Sequence, residues 1–319
     1  MRNVLCDMMG IKVPILLGGM LFVGRARLVS AVSEVGGLGI LGAGAMEPEM
    51  LREEIREIRS LTDQPFGINI PLRSLRAEAL IQVAIQESVR VVATAAGDPS
   101  RFTRVLKERG IIVIHVVPTV IHALQAQKAD VDAIVAEGSE SGGYINLEEV
   151  TTMALVPQVV DAVSVPVIAA GGIADARGFV AAMALGAAGV QMGTRFLATE
   201  ECNISDDYKR ALLLARDTDT MVVRGDHAAR RNLKYELIKR AMESEKDPLI
   251  QLKGITTQFE KSTVGELPKN GKLIRSAGQS VGLIHEILLV KEVIRRMMDG
   301  ASEIMATLPS KLPRYSIHD

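Results

Sequence analysis

Tryptophan is absent from the 319 residues, aromatic residues make up only 3% of them, and 37 basic side chains are balanced by 38 acidic ones. Without a Lys/Arg run flanked by stacking aromatics, nucleic acid is not the expected partner. There are two cysteines, Cys6 and Cys202, far apart and outside any CxxC spacing, which argues against a disulfide scaffold and a structural zinc site and fits a reducing, cytoplasmic setting. The five histidines show neither HxH nor HExxH spacing, so no metal site is expected. Runs of about 18 apolar residues are also lacking, and the opening MRNVLCDMMG carries charge where a signal peptide would carry an apolar core. These shortages leave a soluble chain whose guest is a small neutral or anionic molecule, with no membrane partner.

What the chain does have is a regular alternation. Eight short apolar runs, each ended by glycine or proline and followed by helical periodicity, occupy 13–20, 37–44, 65–72, 90–97, 111–119, 133–138, 165–173 and 189–196. Segments such as RARLVSAVSEVG, EPEMLREEIREIRS and RGFVAAMALG supply the helices between them. The runs are apolar on both faces, as a parallel sheet covered by helices requires. Eight such units predict a TIM or (β/α)8 barrel, with an open doubly wound sheet as the weaker reading. The alternation stops near residue 220. The barrel is therefore assigned to 1–218, a polar cap or lid to 219–278, with HAARRNLKYELIKRAMESEKD as a charged helix, and a long C-terminal helix in 279–319 packed back on the barrel.

Active sites of such barrels lie at the C-terminal strand ends. Here those ends read Gly18-Gly19-Met20, Gly171-Gly172-Ile173 and Gln191-Met192-Gly193-Thr194, and the loop after the sixth strand holds Gly142-Gly143. Glycine admits positive φ and close backbone approach, and free N–H groups at a helix start attract anions. Taken singly these glycines serve tight turns; two clusters on the last two strands predict a phosphate site, with Thr194 adding a hydroxyl. Asn69, Glu137 and Gln191 interrupt apolar strands near the same ends, where a polar group must find a partner in the protein or in a ligand. Three polar groups above a phosphate pocket suit a planar heterocycle with a phosphate tail, the shape of flavin mononucleotide (FMN).

The stretches PILLGGM, VGGLGILGAG, PFGINIPL, AEGSESGGY, PVIAAGGIADARG, ALGAAGVQMGTRFLATEE and AGQSVGLIHEI together resemble the nitronate monooxygenase family, formerly the 2-nitropropane dioxygenases, whose superfamily includes flavin-dependent enoyl-ACP reductases. The resemblance runs from about residue 11 to about 298 and implies a barrel with FMN at its mouth, covered by a smaller segment after strand eight. It implies FMN contacts at Gly18, Gly19, Met20, Asn69, Glu137, Gly142, Gly143, Gly171, Gly172, Gln191, Met192, Gly193 and Thr194, with Gln279 and Ser280 near the flavin. It also leaves room for a homodimer.

One residue departs from the resemblance. Relatives read AGGH where this chain reads SGGY, so Tyr144 stands where a histidine acts on protons above the flavin. A phenol with a pKa of about 10 is a poor base but a competent hydrogen-bond donor or acid. Tyr144 is thus the candidate catalytic residue, against the plainer reading that it only covers the flavin or closes its loop. His115, in mid-strand, reads as a core histidine, whereas His227 and His285 belong to segments able to approach the mouth. The reading favoured is an FMN-dependent oxidation of alkyl nitronates, anions that need no base. The alternatives are an enoyl-thioester reductase drawing on NAD(P)H without a GxGxxG motif, for which the basic HAARRNLK offers a pyrophosphate or an acidic carrier surface a place to dock although it reads first as a solvated helix face, and a flavin-binding protein that has lost turnover.

Overall fold

The computed structural model describes residues 3–225, 229–234 and 276–311. The eight apolar runs become eight parallel strands: β1 (Ile15–Leu17), β2 (Gly39–Gly42), β3 (Phe66–Pro71), β4 (Val91–Ala95), β5 (Ile112–Val117), β6 (Ala133–Glu137), β8 (Val167–Ala170) and β9 (Gly189–Met192). Their order is β1-β9-β8-β6-β5-β4-β3-β2, and the sheet closes through a parallel bridge between Leu16 and Leu38. Leu17 N donates to Leu38 O at 2.9 Å and Leu38 N to Ile15 O at 3.0 Å across that seam. The barrel expected from the alternation is the fold observed.

Alternation along each strand splits its side chains into two sets. Leu16, Val91, Ala93, Ile114, Val135 and Ala170 point into the barrel. Helix α1 (Val4–Met9) closes the N-terminal end by inserting Leu5 and Met9 into that cluster, and Asn3 Nδ2 ties its start to Ala188 O at 2.8 Å. The other set, Leu17, Leu41, Ile68, Val92 and Val113 among them, packs outward against the helices. Helices α2 (Ala26–Glu34) and α3 (Pro48–Leu61) show how those helices are specified. Leu51, Ile55 and Ile58 fall on one face of α3 and are buried. Glu54 is buried with them because its carboxylate pairs with Arg25 and accepts from Ala26 N at 3.1 Å, capping α2 from a neighbouring helix.

The remaining helices of the ring are α4 (Ala77–Gln86), α5 (Thr103–Lys107), α6 (Val120–Lys128), α7 (Thr152–Ala162) and α8 (Ala176–Ala184). After β9 comes only the four-residue α9 (Thr194–Leu197), then α10 (Asp206–Leu214). The place of an eighth barrel helix is taken by α11 (Val290–Lys311), which packs against α8 and α2 and brings Gly300 close to Ala176.

Two expectations for the later part of the chain need correction. The long helix assigned to 279–319 begins only at Val290. Gln279–Leu283 form a single 3₁₀ turn, and Leu288 bridges Thr199 before the helix starts on the Glu201 carboxylate, which accepts from Val290 N at 3.0 Å. Residues 312–319 lie outside the described residues. The charged helix assigned to the cap is, at Ala229–Leu233, strand β11. It pairs antiparallel with β10 (Thr220–Arg224) and with β7 (Gly143–Ile145), making a three-stranded sheet over the mouth. Its burial alternates with period two, Ala229, Arg231 and Leu233 being buried, and this wins over the helical spacing of its charges. The rest of the cap reading, 235–275, and His227 lie outside the described residues.

Candidate functional site at the barrel mouth

Strand parity carries the three polar residues singled out in the sequence to one place. Asn69 is in register with the inward-facing Ala93, Glu137 with Ala170, and Gln191 with both Ala170 and Leu16. All three therefore point into the upper barrel. Asn69 Nδ2 reaches Ala93 O at 3.4 Å, a long bond, and neither Gln191 nor Glu137 makes a well-formed hydrogen bond to a described residue. Glu137 is surrounded by protein, which lifts its carboxyl from 4.5 to about 7, yet it keeps some accessible surface. Such a combination places an ionisable group inside the barrel with limited access to solvent. The Ser141 hydroxyl nearby offsets part of the rise but makes no bond of normal geometry itself. Buried polar groups left in this state are what a ligand would satisfy.

The glycine-rich strand ends border the same opening. Gly18 N donates to Met192 O at 2.8 Å, and a Cβ on Gly19 would lie 2.3 Å from Asn69 Cβ, so no side chain fits there. Met20 spans the gap, its sulfur facing Gly193. Gly171 and Gly172 both adopt positive φ, 98° and 74°. The helix starts beyond these ends differ. Asp175 caps α8 by accepting from Arg177 N at 2.9 Å, which spends those donors and places negative charge there. The start of α9 at Gly193-Thr194 has no side-chain cap.

The loop after β6 and the returning segment at 276–283 are knitted together above these strands. Glu140 O accepts from Gln279 N at 2.8 Å, Gly278 N donates to Thr194 Oγ1 at 2.9 Å, and a Cβ on Gly142 would strike the Ala277 and Gly278 backbone at 2.6 Å. Gly143 has φ +84°, the left-handed turn that sends the chain into β7. Ser280 is buried beside this junction, whereas Gln279 is exposed.

Tyr144 lies on β7, 42% exposed, opposite Arg230 of β11. The Arg230 guanidinium carbon sits 3.6 Å from the centre of the Tyr144 ring, a cation–π stack. Burial lowers the Arg230 guanidinium to about 10, which leaves it charged at neutral pH. On the opposite face of β11 the buried Arg231 donates to Ser139 O through Nε (3.1 Å) and Nη2 (3.0 Å) and to Thr220 Oγ1 (3.2 Å). In the sequence both arginines belong to the basic stretch HAARRNLK, weighed there as a receiver for a pyrophosphate and not as partners of Tyr144. Little in the sequence marks the strands that align them: TMVVR is a short apolar run and ARRNL reads as part of a basic stretch.

Of the described histidines, His115 points away from this centre. His115 is buried in β5 with its Nδ1 2.7 Å from Thr94 Oγ1, and burial pushes it down to about 4, a neutral core histidine as expected. Its partner Ile134 belongs to the outward set, so it faces the helices. His122 pairs with Thr119 on α6, and His285 is exposed. Among the described residues no cluster of three His, Cys, Asp or Glu side chains is placed to hold a metal.

A parallel barrel with unsatisfied inward polar groups and glycine-rich strand ends at its C-terminal mouth has the arrangement of a ligand-binding barrel. The sequence model of the nitronate monooxygenase family matches residues 2–300, and the chain belongs to that family. It is 43% identical to FabK from Thermotoga maritima, with a TM-score of 0.87 over 98% of this chain and 100% of that one. It is 36% identical over 267 residues to a probable nitronate monooxygenase of Staphylococcus aureus, covering 70% of this chain and 75% of that protein. It is also 40% identical over 224 residues to the (3aS,4S,5R,7aS)-5-hydroxy-7a-methyl-1-oxo-octahydro-1H-indene-4-carboxyl-CoA dehydrogenase of Rhodococcus jostii, covering 70% of this chain and 63% of that relative.

Proposed function

We propose that this protein is an FMN-dependent oxidoreductase that oxidises alkyl nitronates with dioxygen. The residues at the mouth fit the cofactor. Gly171, Gly172, Gly193 and Thr194 would hold the phosphate at the uncapped start of α9, and Asn69, Glu137 and Gln191 would satisfy the polar groups of the flavin and its side chain. Gly18, Gly19 and Met20, Gly142 and Gly143, Met192, Gln279 and Ser280 would line its edges. Bound there, FMN supplies electron transfer and reaction with oxygen.

The observation that carries the substrate class is the pair at the rim, a tyrosine stacked on a charged arginine 3.6 Å away, in place of a neutral base. An alkyl nitronate is already deprotonated, so it asks the protein for anion binding and orientation. Arg230 supplies positive charge for the first and the Tyr144 hydroxyl a directed donor for the second.

A second reading, reduction of an enoyl thioester with NAD(P)H as electron source, is favoured by the same phenol read as an acid and by the carboxyl-CoA substrate in the printed name of the Rhodococcus relative. A cytoplasmic location, with Cys6 and Cys202 as free thiols, and a homodimeric assembly complete the proposal. None of the described helices is long and apolar enough to cross a membrane.

Anaerobic stopped-flow mixing separates the readings. Bleaching of the flavin by propionate 3-nitronate alone is the expected result. Bleaching by NADH or NADPH and not by nitronate would replace this reading with the reductase, and an oxidised flavin in both mixtures would leave a binding protein without turnover.

A further inference from the structure

The contact between Tyr144 and Arg230 is built by the fold. Antiparallel pairing of β7 with β11 places the two residues in register, so their side chains leave the sheet on the same face. Val223 of β10 is in register with Arg230 on that face and carries no charge. The other charged groups of the surrounding elements leave on the opposite face, hold other partners or lie in solvent. Arg231 leaves on the opposite face toward Ser139 and Thr220, and Glu140 accepts from Thr152 N at 2.9 Å and Thr152 Oγ1 at 3.0 Å. Arg224 pairs with Glu149 at 2.6 Å, and Glu148 is exposed in the following loop. Among the described residues, then, the charge that lies against the Tyr144 ring is the Arg230 guanidinium.

We propose that Arg230 is a positioning residue that fixes the Tyr144 ring and strengthens its phenol as a hydrogen-bond donor, so that the pair binds an oxyanion of the substrate at the barrel mouth. This rests on the reading of the mouth as the active site. A guanidinium over the ring stabilises the phenolate more than the phenol, because only the former carries a charge for it to attract, and an opposite charge within about 4–6 Å shifts an ionisation by about one unit or more. The donated hydrogen bond strengthens in step. Two ligand chemistries share this demand, the nitronate oxygens and the enolate oxygen of a reduced thioester, and the pair would serve either.

The ionisation of Tyr144 tests the proposal directly. Tyrosinate absorbance near 295 nm, recorded from neutral to alkaline pH on the holoprotein and subtracted from that of Tyr144→Phe, isolates this one residue among the four tyrosines. In the native protein Tyr144 is expected to ionise about one unit below the ordinary value of about 10. Arg230→Gln should return it to about 10 or above, while Arg230→Lys, which keeps the charge, should hold part of the shift. Arg230→Met keeps the apolar length and serves if the glutamine variant does not fold. An ordinary or raised value in the native protein, or the same value with and without the charge, overturns the proposal.

Nitrate, planar and anionic, probes the oxyanion site through the flavin spectrum. Its affinity should fall about tenfold or more in both Tyr144→Phe and Arg230→Gln. Equal affinity in all three proteins would dismiss the pair as an anion site. Neither measurement involves turnover, so a failed nitronate reaction alongside a shifted phenol would count against the proposed function and leave the pair standing.

Discussion

At the scale of single residues, Glu137 is the group whose protonation the fold disturbs most usefully. Its carboxyl ionises at 4.5 in the unfolded chain and at about 7 in the folded one, because burial penalises its charge. Below about pH 4.5 both states hold the proton and nothing is lost. Between 4.5 and 7 the unfolded chain releases its proton first, so stability falls as pH rises, by about 3 kcal/mol at about 1.4 kcal/mol per unit. Above pH 7 the penalty is complete. Glu137→Gln removes it, so urea unfolding of the flavin-free protein should find the variant more stable than the native chain at pH 8 and equal to it near pH 4. A constant difference across that range would refute the assignment. Glu137, Asn69 and Gln191 were legible in the sequence for the same reason that they matter, since a polar side chain in an apolar strand stands out. Arg230 was not, because a charged residue in a charged stretch looks like a solvated surface until a strand partner gives it a ring to stack on.

At the scale of elements, the three-stranded sheet over the mouth depends on one buried arginine. Arg231 holds Ser139 O with two donors and Thr220 Oγ1 with a third, joining the loop after β6 to both strands of the cap hairpin. Arg231→Leu keeps bulk and strips all three bonds, leaving a buried carbonyl unpaired at a cost of about 2–4 kcal/mol. The effect should be local: backbone amides of 139–150 should exchange faster with solvent, while those of β4 and β5 keep their protection. Unchanged exchange in the loop would mean that the sheet is held by its strand pairing alone. The eight barrel strands could be read from the sequence because each is short, apolar on both faces and punctuated by glycine or proline. The hairpin and β7 could not, since their alternation of buried and exposed residues is carried by arginines, and Gly143-Tyr144-Ile145 is too short to show a period. The C-terminal helix was placed eleven residues early, at 279 instead of Val290, because Val281 and Ile284 keep helical spacing through a stretch that folds as a 3₁₀ turn.

At the scale of the whole molecule, the chain leaves the barrel after β9, forms the cap, and returns with α11 to complete the ring of helices. The strand pairing is thinnest at the neighbouring seam, where the chain around β1 meets the chain around β2 only through isolated bridges, Leu16 with Leu38 and Leu21 with Gly42. Helix α11 braces that seam from outside by packing on α2, the connection between those strands, and on α8. Its buried face is Val290, Val293, Ile294, Met297 and Ala301. Ile294→Ala should therefore destabilise the protein by about 2–4 kcal/mol, the ordinary cost of deleting a buried Ile side chain to its Cβ, as read by denaturant midpoint. The more telling effect is its location. If α11 braces the seam, exchange at the Leu17 and Leu38 amides should accelerate more than at β4 and β5 on the far side of the barrel, because local opening follows the weakest pairing. Uniform acceleration around the barrel would show instead that the ring opens as one unit, and that α11 stabilises it without regard to where the strands meet.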